Sequence, residues 1–463
     1  MMTDAASASP ALARDEDVRR AYSADASGLV LVPDAVVRAT TADEVAALLA
    51  QCSAEGTPVT AAGAQTSTTG ASITDRGTVL SLRAMQRVTE LDPVARLVRC
   101  EPGVLVGDLK RACAAQGLLL PLDPTSEEEC TVGGAVACNA SGARSLRYGA
   151  TRPHVRALRV AMADGSISEV RRTALEKNTV GYHFAHDPVD WFVGSEGTLG
   201  IVVEVEFALL PLPETVVGLA MPFAREHDAL RFVVAAREST AVHPRCLEFF
   251  DARALAIVRG ADESPGWASD AEALVYLEEC PPAGRDAALD EWLALADAHG
   301  GTVDDARVYE GESALRDARR LRHAVPAHMN ERGAARRVHG GRKVSTDWAV
   351  PYRALDTALA RARALADEAG VEQAVAYGHA GNGHPHQNFI AHDGDELARI
   401  QAVVEATLRE VIALGGTVAA EHGIGKIKQR WLPLQMSPLQ VRTMRAVKRE
   451  LDPAGILAPG NVL

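Results

Sequence analysis

The sequence predicts an α+β fold divided between two domains, and three observations support this prediction. The chain of 463 residues is longer than one ordinary hydrophobic core requires. From Val30 onward, short β-branched runs alternate with helical segments. The proline-rich stretch LLPLPET at 209–215 is a natural domain boundary. The expected divisions are a flexible N-terminal arm at 1–27, a first domain at 28–213, a second domain at 214–414 and a C-terminal segment at 415–463 that packs back on the first domain.

Individual elements follow from local patterns. Val36–Thr40 and Pro58–Ala61 have the β-branched, apolar character of strands. Thr41–Glu44 has the spacing of a capping box, which predicts that a helix starts there. In the second domain, Leu355–Ala369 is typical of a helix and Glu372–Tyr377 of a short strand.

Composition and charge exclude several classes of protein. The chain carries 48 Lys and Arg against 61 Asp and Glu, a formal net charge of -13, whereas nucleic acids and anionic membranes require a basic surface. We therefore expect no nucleic-acid partner. No apolar stretch reaches the roughly 18 residues of a transmembrane segment, and the N-terminus lacks the apolar region of a secretion signal. The expected location is cytoplasmic, with peripheral attachment at the inner membrane left open.

The cysteines indicate a reducing compartment. There are seven, scattered through the chain without C-x-x-C spacing. An odd number of cysteines without C-x-x-C spacing favours free, mostly buried thiols. It gives no support to a cysteine-ligated iron–sulfur cluster.

Three loops built from small residues lie in the first domain, at 61–70, 131–149 and 194–213. Glycines let a backbone approach a ligand closely, and consecutive N–H groups can cradle a pyrophosphate. Three such loops in one block favour an extended nucleotide cofactor, although tight turns in a sheet-rich domain would give a similar pattern. No G-x-G-x-x-G follows a strand and opens a helix, so a Rossmann site is not predicted.

Histidines cluster in the segment GHAGNGHPHQNFIAH. Its glycines predict a turn between strands at Val375–Tyr377 and Gln387–Ile390, and such a turn can direct imidazoles at one metal ion. Glu421, in the glycine-flanked segment AAEHGIG, could supply a carboxylate ligand, and the adjacent His422 could act as a general base. A solvated histidine-rich turn, with His422 bonded to the backbone, remains the alternative.

Together these segments resemble the family of FAD-linked dehydrogenases that includes D-lactate dehydrogenase, glycolate oxidase and D-2-hydroxyglutarate dehydrogenase. The matching segments are CTVGGAVACNASGARSLRYG, VGSEGTLGIV, AAEHGIG followed by KIKQRW, and LDPAGILAPG, in the family's order. The resemblance covers nearly the whole chain from about residue 30. It implies an FAD-binding domain of the vanillyl-alcohol-oxidase (PCMH) type and an α/β substrate or cap domain with an antiparallel sheet.

The resemblance also implies which residues bind FAD. The loop Ala62–Ser67 would hold the pyrophosphate, and 131–149 would lie along the isoalloxazine and ribityl parts. The adenine side would be lined by Glu196, Gly197, Gly200 and Ile201. The implied cofactor-binding residues are Ala62, Gly63, Ala64, Gln65, Thr66, Ser67, Gly70, Pro124, Thr131, Gly133, Gly134, Asn139, Ser141, Gly142, Tyr148, Gly149, Glu196, Gly197, Gly200, Ile201 and Asn461.

Metal and substrate residues are implied in the same way. The family's metal ligands, two histidines of a G-H-x-G-D-G-N-x-H motif and the glutamate of E-H-G, correspond to His379, His386 and Glu421, and its base corresponds to His422. A divalent metal is expected, zinc in the first place, with manganese or iron as alternatives. Arginine and lysine at the positions of Arg322 and Lys343 contact the substrate carboxylate in the family. Without the resemblance, both would be ordinary solvated charges.

Several positions depart from the family pattern. Ala62 and Gln65 replace an arginine and the second glycine of the pyrophosphate loop, so the Cβ of Gln65 stands where the backbone should approach phosphate. In the metal turn, Asn382 replaces an aspartate and His384 an asparagine. This makes His384 an additional or alternative ligand. The family's terminal N-P-G-K appears as residues 458–461, APGN.

The expected activity is FAD-dependent oxidation of a small D-2-hydroxy acid to the 2-oxo acid by hydride transfer to flavin N5. KVSTDWAVP at 343–351 most resembles D-lactate dehydrogenases, which favours D-lactate and leaves glycolate and D-2-hydroxyglutarate open. A transferase resembling alkylglycerone-phosphate synthase and a non-catalytic flavoprotein subunit are the alternatives of another class. The electron acceptor could be a quinone, a cytochrome or an electron-transfer flavoprotein.

Overall fold

The computed structural model describes residues 11–261, 266–281 and 284–463. Its strands are β1 (Ala35–Arg38), β2 (Val59–Ala62), β3 (Thr78–Ser81), β4 (Val88–Asp92), β5 (Leu97–Cys100), β6 (Leu118–Leu119), β7 (Val155–Ala161), β8 (Ile167–Arg171), β9 (Ile201–Ala208), β10 (Leu210–Pro211), β11 (Val217–Phe223), β12 (Pro244–Asp251), β13 (Ala273–Glu279), β14 (Arg307–Glu310), β15 (Gly340–Ser345), β16 (Gln373–His379) and β17 (His384–Asp393). Its helices are α1 (Glu16–Ala21), α2 (Ala42–Glu55), α3 (Val106–Ala114), α4 (Val132–Cys138), α5 (Ser145–Tyr148), α6 (Val189–Phe192), α7 (Glu226–Glu238), α8 (Ala252–Ala261), α9 (Arg285–Asp297), α10 (Gly311–Ala334), α11 (Leu355–Glu368), α12 (Gly394–Ala413), α13 (Leu432–Gln435) and α14 (Pro438–Leu451).

The chain forms two compact units. The first contains the described residues up to Gly142 together with Gly149–Leu212 and Glu421–Leu463, and the second contains Ala143–Tyr148 and Pro213–Ala420. The six residues Ala143–Tyr148 fall inside the range expected for the first domain, yet they pack in the second unit. The reason is electrostatic, because Arg144 donates two hydrogen bonds of 2.9 Å to the buried carboxylate of Glu278 in β13.

An arm was expected at 1–27; its first ten residues lie outside the described part, and from Ala13 onward the segment is hydrogen-bonded to the body of the first unit. Ala13 and Val36 exchange backbone hydrogen bonds of 2.8 and 2.9 Å. Arg19, in α1, donates from Nε to the carbonyl oxygen of Pro33 at 2.7 Å. These bonds attach the segment to the edge of a sheet.

The first unit combines two main sheets. One is parallel, with strand order β1-β3-β2, and the other is antiparallel, with order β4-β5-β9-β7-β8. β1 and β2 confirm the two predicted strands, and α2 begins after Thr41, whose hydroxyl accepts the N–H of Glu44 at 3.2 Å as predicted. α2 buries Leu48 and Leu49 in a core that includes Val59 and Leu80 of the parallel sheet. Each fully buried leucine contributes about 1.5–3 kcal/mol to the free energy of folding.

The second unit is built on one antiparallel sheet of seven strands in the order β14-β11-β13-β12-β16-β17-β15. α11 and β16 confirm the predicted helix and strand. α8 and α10 supply Leu255, Val258 and Val325 to a core that also contains Phe250 and Tyr377 of the sheet. This packed face carries the polar residues described below, so their side chains stand on a rigid support.

The helices of the second unit are either apolar along one face or strongly charged. α12 buries Ile400, Val403 and Val404 along one face, whereas α10 carries many arginines. In the part of the chain that the structure describes, no helix has the length and apolar character needed to cross a membrane.

Candidate active site

The loop after β2 in the first unit presents a row of backbone donors. Within the described residues, the five consecutive N–H groups of residues 64–68 donate to no protein acceptor. Consecutive amides that lack partners form a concave site suited to an anion. The loop therefore offers donors of the kind that an anion accepts.

Gln65 adopts the conformation that the missing glycine would have provided. Its φ is 58°, in the left-handed region that favours glycine. Its Nε2 donates to the carbonyl oxygens of Tyr22 and Ala24, both at 3.1 Å. The side chain is thus directed to the N-terminal segment.

Glycine at position 63 and helix α4 lie beside this loop. A Cβ on Gly63 would overlap the hydroxyl of Thr131, the residue that caps α4. The first N–H groups of α4 are engaged by protein: Gly133 donates to Pro102 at 2.8 Å and Gly134 to Thr131 Oγ1 at 3.3 Å. Thr131, Gly133 and Gly134 therefore fix the shape of the cofactor-binding region rather than offering free amides.

Glu196 and Asn461, two further predicted cofactor residues, hold segments of the first unit together. The buried carboxylate of Glu196 accepts the N–H groups of Ile424 at 2.5 Å and Gly425 at 2.8 Å. Burial raises the pKa of Glu196, against the lowering effect of these N–H groups. Asn461 donates to the carbonyl oxygen of Ala71 at 2.8 Å. Both side chains are structural ties around the candidate cofactor site.

The remaining predicted residues of the first unit occupy related positions. Asn139 ends α4 with a φ of 51°, and its Oδ1 accepts the N–H of Arg152 at 2.9 Å. Ser141 Oγ donates to Glu421 Oε1 at 3.3 Å. The backbone carbonyl of His422 accepts the hydroxyl of Thr69 at 3.4 Å. Further predicted positions also belong to this unit, namely Ala62, Ala64, Thr66, Ser67, Gly70, Pro124, Gly142, Gly149, Gly197, Gly200 and Ile201. Tyr148 belongs to the second unit, where its hydroxyl lies 3.9 Å from Cys280 Sγ.

The second unit gathers three histidines on the predicted strand–turn–strand. His379 ends β16 and is paired in register with His384 at the start of β17. The ring centres are 5.5 Å apart for His379 and His384, 5.2 Å for His379 and His386, and 4.7 Å for His384 and His386. The turn needs Gly383, because its φ is 68° and a Cβ there would overlap the carbonyl oxygen of Val350.

Glu248 links His379 to Arg322. Its Oε1 lies 2.6 Å from His379 Nδ1, and its Oε2 accepts Arg322 Nε at 2.5 Å. Glu248 is fully buried, and burial alone would raise its pKa. The positive charges of Arg322 and His379 outweigh this effect and lower the pKa to about 2. The result is an ionised carboxylate that fixes the orientation of His379.

Three polar residues of this hairpin region, Glu248, Asp347 and Asn388, were not predicted from the sequence. Asp347 Oδ1 lies 3.2 Å from His384 Nε2. Asn388 donates to the carbonyl oxygen of His386 at 3.2 Å, and its own buried Oδ1 has no partner in the described part of the chain. A single acidic residue among the apolar residues of RCLEFFD was the available signal for Glu248. An unpaired buried acceptor two residues after His386 fits a polar ligand at this hairpin.

Lys343, predicted with Arg322 as a substrate contact, lies on β15. Its amine donates to Asn330 Oδ1 at 2.8 Å, and burial lowers its pKa to about 8. Lys343 is paired with Ile390 on β17, and His386 lies four residues earlier, about 13 Å along the strand. The register of β15 therefore places the lysine away from the histidines.

The first unit has a loop whose backbone amides donate to no acceptor in the described protein. The second unit has buried imidazoles, a carboxylate and a guanidinium. Such groups are typical of a cofactor-dependent oxidoreductase that acts on a small polar substrate. Comparison with known proteins identifies the cofactor domain. Residues 212–462 match the C-terminal domain of FAD-linked oxidases, and residues 33–171 match an FAD-binding domain. The chain belongs to the family of FAD-linked oxidoreductases.

Relatives of known name agree with this family. The chain is 32% identical to the D-lactate dehydrogenase of Archaeoglobus fulgidus, covering 96% of this chain and 95% of that protein. It is 30% identical to the glycolate oxidase subunit GlcD of Bacillus subtilis, covering 96% and 92%. It is 30% identical to the D-2-hydroxyglutarate dehydrogenase of Xanthomonas citri pv. viticola, covering 93% and 89%.

Solved structures confirm the fold class. An alkyldihydroxyacetonephosphate synthase has a TM-score of 0.74 at 18% identity, covering 97% of this chain and 82% of that one. A substrate-bound p-cresol methylhydroxylase has a TM-score of 0.73 at 17% identity, covering 97% and 93%. The chain therefore has the predicted α+β fold with an FAD-binding domain of the PCMH type.

Proposed function

We propose that this protein oxidises a small D-2-hydroxy acid to the 2-oxo acid, with D-lactate as the preferred substrate. The observation that carries the proposal is the buried group of His379, Glu248 and Arg322 in a chain whose named relatives oxidise D-lactate, glycolate or D-2-hydroxyglutarate. The D-lactate dehydrogenase is the relative with the highest identity of these three, and the segment at 343–351 resembles the same enzymes.

Oxidation of an alcohol to a ketone removes a proton from the hydroxyl and a hydride from the carbon. FAD, when bound, supplies the hydride acceptor. The amides of residues 64–68 would hold its pyrophosphate, because they have no acceptor within the described protein. Glu196 and Asn461 would keep the surrounding segments in place through their hydrogen bonds.

Residues suited to a divalent metal are also present. His379 would be one ligand, and Glu248 at its Nδ1 would be the carboxylate that fixes the direction of the ring. His386 would be a second ligand and Glu421 a third. Glu421 directly follows Ala420, whose N–H donates to the carbonyl oxygen of Asp347 at 2.8 Å. A metal held by these residues would lower the pKa of the substrate hydroxyl.

His422 would accept the hydroxyl proton, and Arg322 would bind the substrate carboxylate. A guanidinium suits this role because it binds carboxylates through paired hydrogen bonds. Lys343 would supply a second positive charge, although in the structure its amine donates to Asn330 Oδ1, as Arg322 Nε donates to Glu248.

An anaerobic titration tests the proposed reaction. D-Lactate, L-lactate, glycolate and D-2-hydroxyglutarate are added in turn to the FAD-loaded protein, and the flavin absorption is recorded. We expect D-lactate to bleach the flavin at the lowest concentration and L-lactate not to bleach it. If none of the four acids reduces the flavin, the proposed function is wrong.

The role of His422 has its own test. His422→Ala should retain FAD and lower kcat with D-lactate by roughly 10²–10⁴-fold, because the hydroxyl proton loses its acceptor. His339→Ala, at an exposed position of the second unit, is the control. A decrease of less than tenfold for His422→Ala would show that another group takes the proton.

A further inference from the structure

Lys426, in the first unit, carries a partly buried amine whose hydrogen-bond partners are neutral. Its Nζ donates to Asn461 Oδ1 at 2.6 Å and to the carbonyl oxygen of Gly70 at 3.3 Å. Within the described residues, the amine forms no ion pair and no third hydrogen bond. An ammonium group has three N–H donors, so one donor and the positive charge remain available to a ligand. The proposed reaction has not used this group.

The chain around Lys426 is fixed against the end of the loop at 64–68. The backbone N–H of Lys426 donates to the carbonyl oxygen of Thr69 at 2.9 Å. Gly425, the preceding residue, has a φ of 50°, and a Cβ there would overlap the same carbonyl oxygen. The contacts of Lys426 with Thr69 and Gly70 thus begin one residue after the five N–H groups that donate to no acceptor in the described protein. The amine and these N–H groups are neighbours within one unit.

The loop itself carries no charge to balance an anion. Residues 62–70, AGAQTSTTG, contain no basic side chain. Backbone N–H groups offer partial positive charges only, whereas a pyrophosphate carries a full negative charge on each phosphate. Hydrogen bonds between charged groups are shorter and stronger than those between neutral groups. A cation from another segment would therefore strengthen the binding of a pyrophosphate at this loop.

The surroundings of the amine leave its positive charge incompletely stabilised. Burial lowers the pKa of Lys426 from 10.5 to about 8. The charged groups that act on the amine from neighbouring segments are Glu196, Asp25 and Asp75, which raise this pKa, and Arg76, which lowers it. The three carboxylates together do not outweigh burial. A bound anion would supply the missing stabilisation.

We propose that the amine of Lys426 binds the pyrophosphate of FAD and supplies the positive charge that the loop at 64–68 lacks. Asn461 would hold the amine in place through its hydrogen bond. This inference deepens the proposed function at its cofactor site, since it rests on the binding of FAD by the first unit. The identity of the acid that is oxidised does not enter the argument.

The affinity for FAD tests this contact. The full-length protein is freed of FAD, and the dissociation constant of added FAD is measured by flavin fluorescence. We expect Lys426→Met to raise this dissociation constant about tenfold or more, because a hydrogen bond to a charged group is lost. Lys426→Arg keeps a positive charge that suits phosphate and should recover most of the affinity. Lys177→Met, at an exposed position of the same unit, is the control.

The pH dependence separates a charge contact from support of the loop. Binding of an anion raises the pKa of the amine above its value of about 8. The contribution of Lys426 to FAD affinity is therefore complete below pH 8 and is lost between pH 8 and the higher pKa of the bound state. In this range the dissociation constant of the wild type should rise by up to about tenfold per pH unit. Lys426→Arg should show no such rise, because its guanidinium stays charged.

Each outcome decides the proposal. A dissociation constant of FAD that is the same in Lys426→Met and the wild type would overturn it. Equal weakening by Lys426→Met and Lys426→Arg would show that the residue only supports the loop, and a wild type that binds no FAD also overturns the proposal. If Lys426→Met does not fold, the pH profiles of the wild type and Lys426→Arg give the answer. Bleaching of the flavin by D-lactate at saturating FAD, measured separately, shows whether the proposed function stands.

Discussion

The two units offer different chemical groups to a ligand. In the first unit the loop at 64–68 presents backbone N–H groups, and the side chains around it, such as Glu196 and Asn461, bind other protein segments. In the second unit the candidate groups are side chains on paired strands, with His379 and Glu248 in direct contact. The first unit is therefore suited to a large anionic cofactor and the second to a small acid.

This difference determines how each unit should respond to substitution. A backbone amide cannot be removed by changing a side chain, so substitutions in the loop at 64–68 act through loop shape, crowding or stability. A charged side chain in a buried cluster can be removed directly, and its partner then remains buried without compensation. We therefore expect large effects on chemistry from the second unit and smaller effects on cofactor affinity or stability from the first.

The largest effect is expected at Arg322. Arg322→Met should lower kcat/KM for D-lactate by roughly 10²–10³-fold, about 3–4 kcal/mol, because a buried charge pair and the partner of the substrate carboxylate are lost together. FAD content should not change, since Arg322 is part of the second unit. Steady-state kinetics and the flavin spectrum measure the two quantities.

Two further variants separate the chemistry of Arg322 from a general loss of structure. Arg320→Met changes a side chain that is 82% exposed on the same helix and should behave as the wild type. Arg322→Lys keeps the positive charge and loses the planar fork, so part of the activity should return. Equal kcat/KM for Arg322→Met and the wild type would show that Arg322 does not bind the substrate carboxylate.

A charge cluster of the first unit provides the contrasting case. Glu206 on β9 accepts Arg171 at 2.7 Å and Arg99 at 2.6 Å, and these bonds, with that of Arg171 first, lower its pKa from 4.5 to about 2. Glu206→Gln should lower the free energy of unfolding by about 1–2 kcal/mol, because the half-exposed arginines are screened by solvent. kcat should not change, which would distinguish a structural cluster from a catalytic one.

The pH dependence has a definite sign. Because the folded pKa of Glu206 lies below the ordinary value of 4.5, its contribution is present above pH 4.5 and is lost as the pH falls from 4.5 toward 2. The stability difference between wild type and Glu206→Gln should therefore shrink in this range. Thermal denaturation at pH 7, 4.5 and 3 measures it, and a difference that grows toward low pH would contradict the assignment.

The features that the sequence predicted correctly depend on local patterns. Helix α2 begins at Thr41 because an N-cap hydroxyl and an apolar periodicity act within a few residues. The hairpin around His379 follows from its glycines and the short strands beside them. Family resemblance added Arg322, which the structure places against Glu248 and His379.

Contacts between distant residues could not be predicted in this way. Glu248 is 131 residues from His379 in sequence, and only the pairing of β12 with β16 brings them together. Lys343 was assigned to the substrate by resemblance, and its pairing with Ile390 and its bond to Asn330 depend on the register of β15, which the sequence does not show. A shift of strand register moves a side chain by several ångströms, and no local pattern in the sequence records it.

Gln65 should give the smallest effect and the sharpest test of how the first unit works. Its left-handed φ costs free energy in a residue other than glycine, and the two hydrogen bonds to Tyr22 and Ala24 offset this cost. Gln65→Ala should raise the dissociation constant of FAD about five- to tenfold, roughly 1 kcal/mol, since the anchor is lost while the backbone strain remains. Gln65→Gly should have a weaker effect, because glycine adopts the same φ without strain.

Gln116→Ala, at an exposed position after α3, is the control. FAD affinity is measured by flavin fluorescence, and kcat at saturating FAD should stay constant. If Gln65→Gly binds FAD more weakly than Gln65→Ala, then the loop is not held by the balance of strain and anchoring proposed here, and the amides at 64–68 owe their arrangement to another contact.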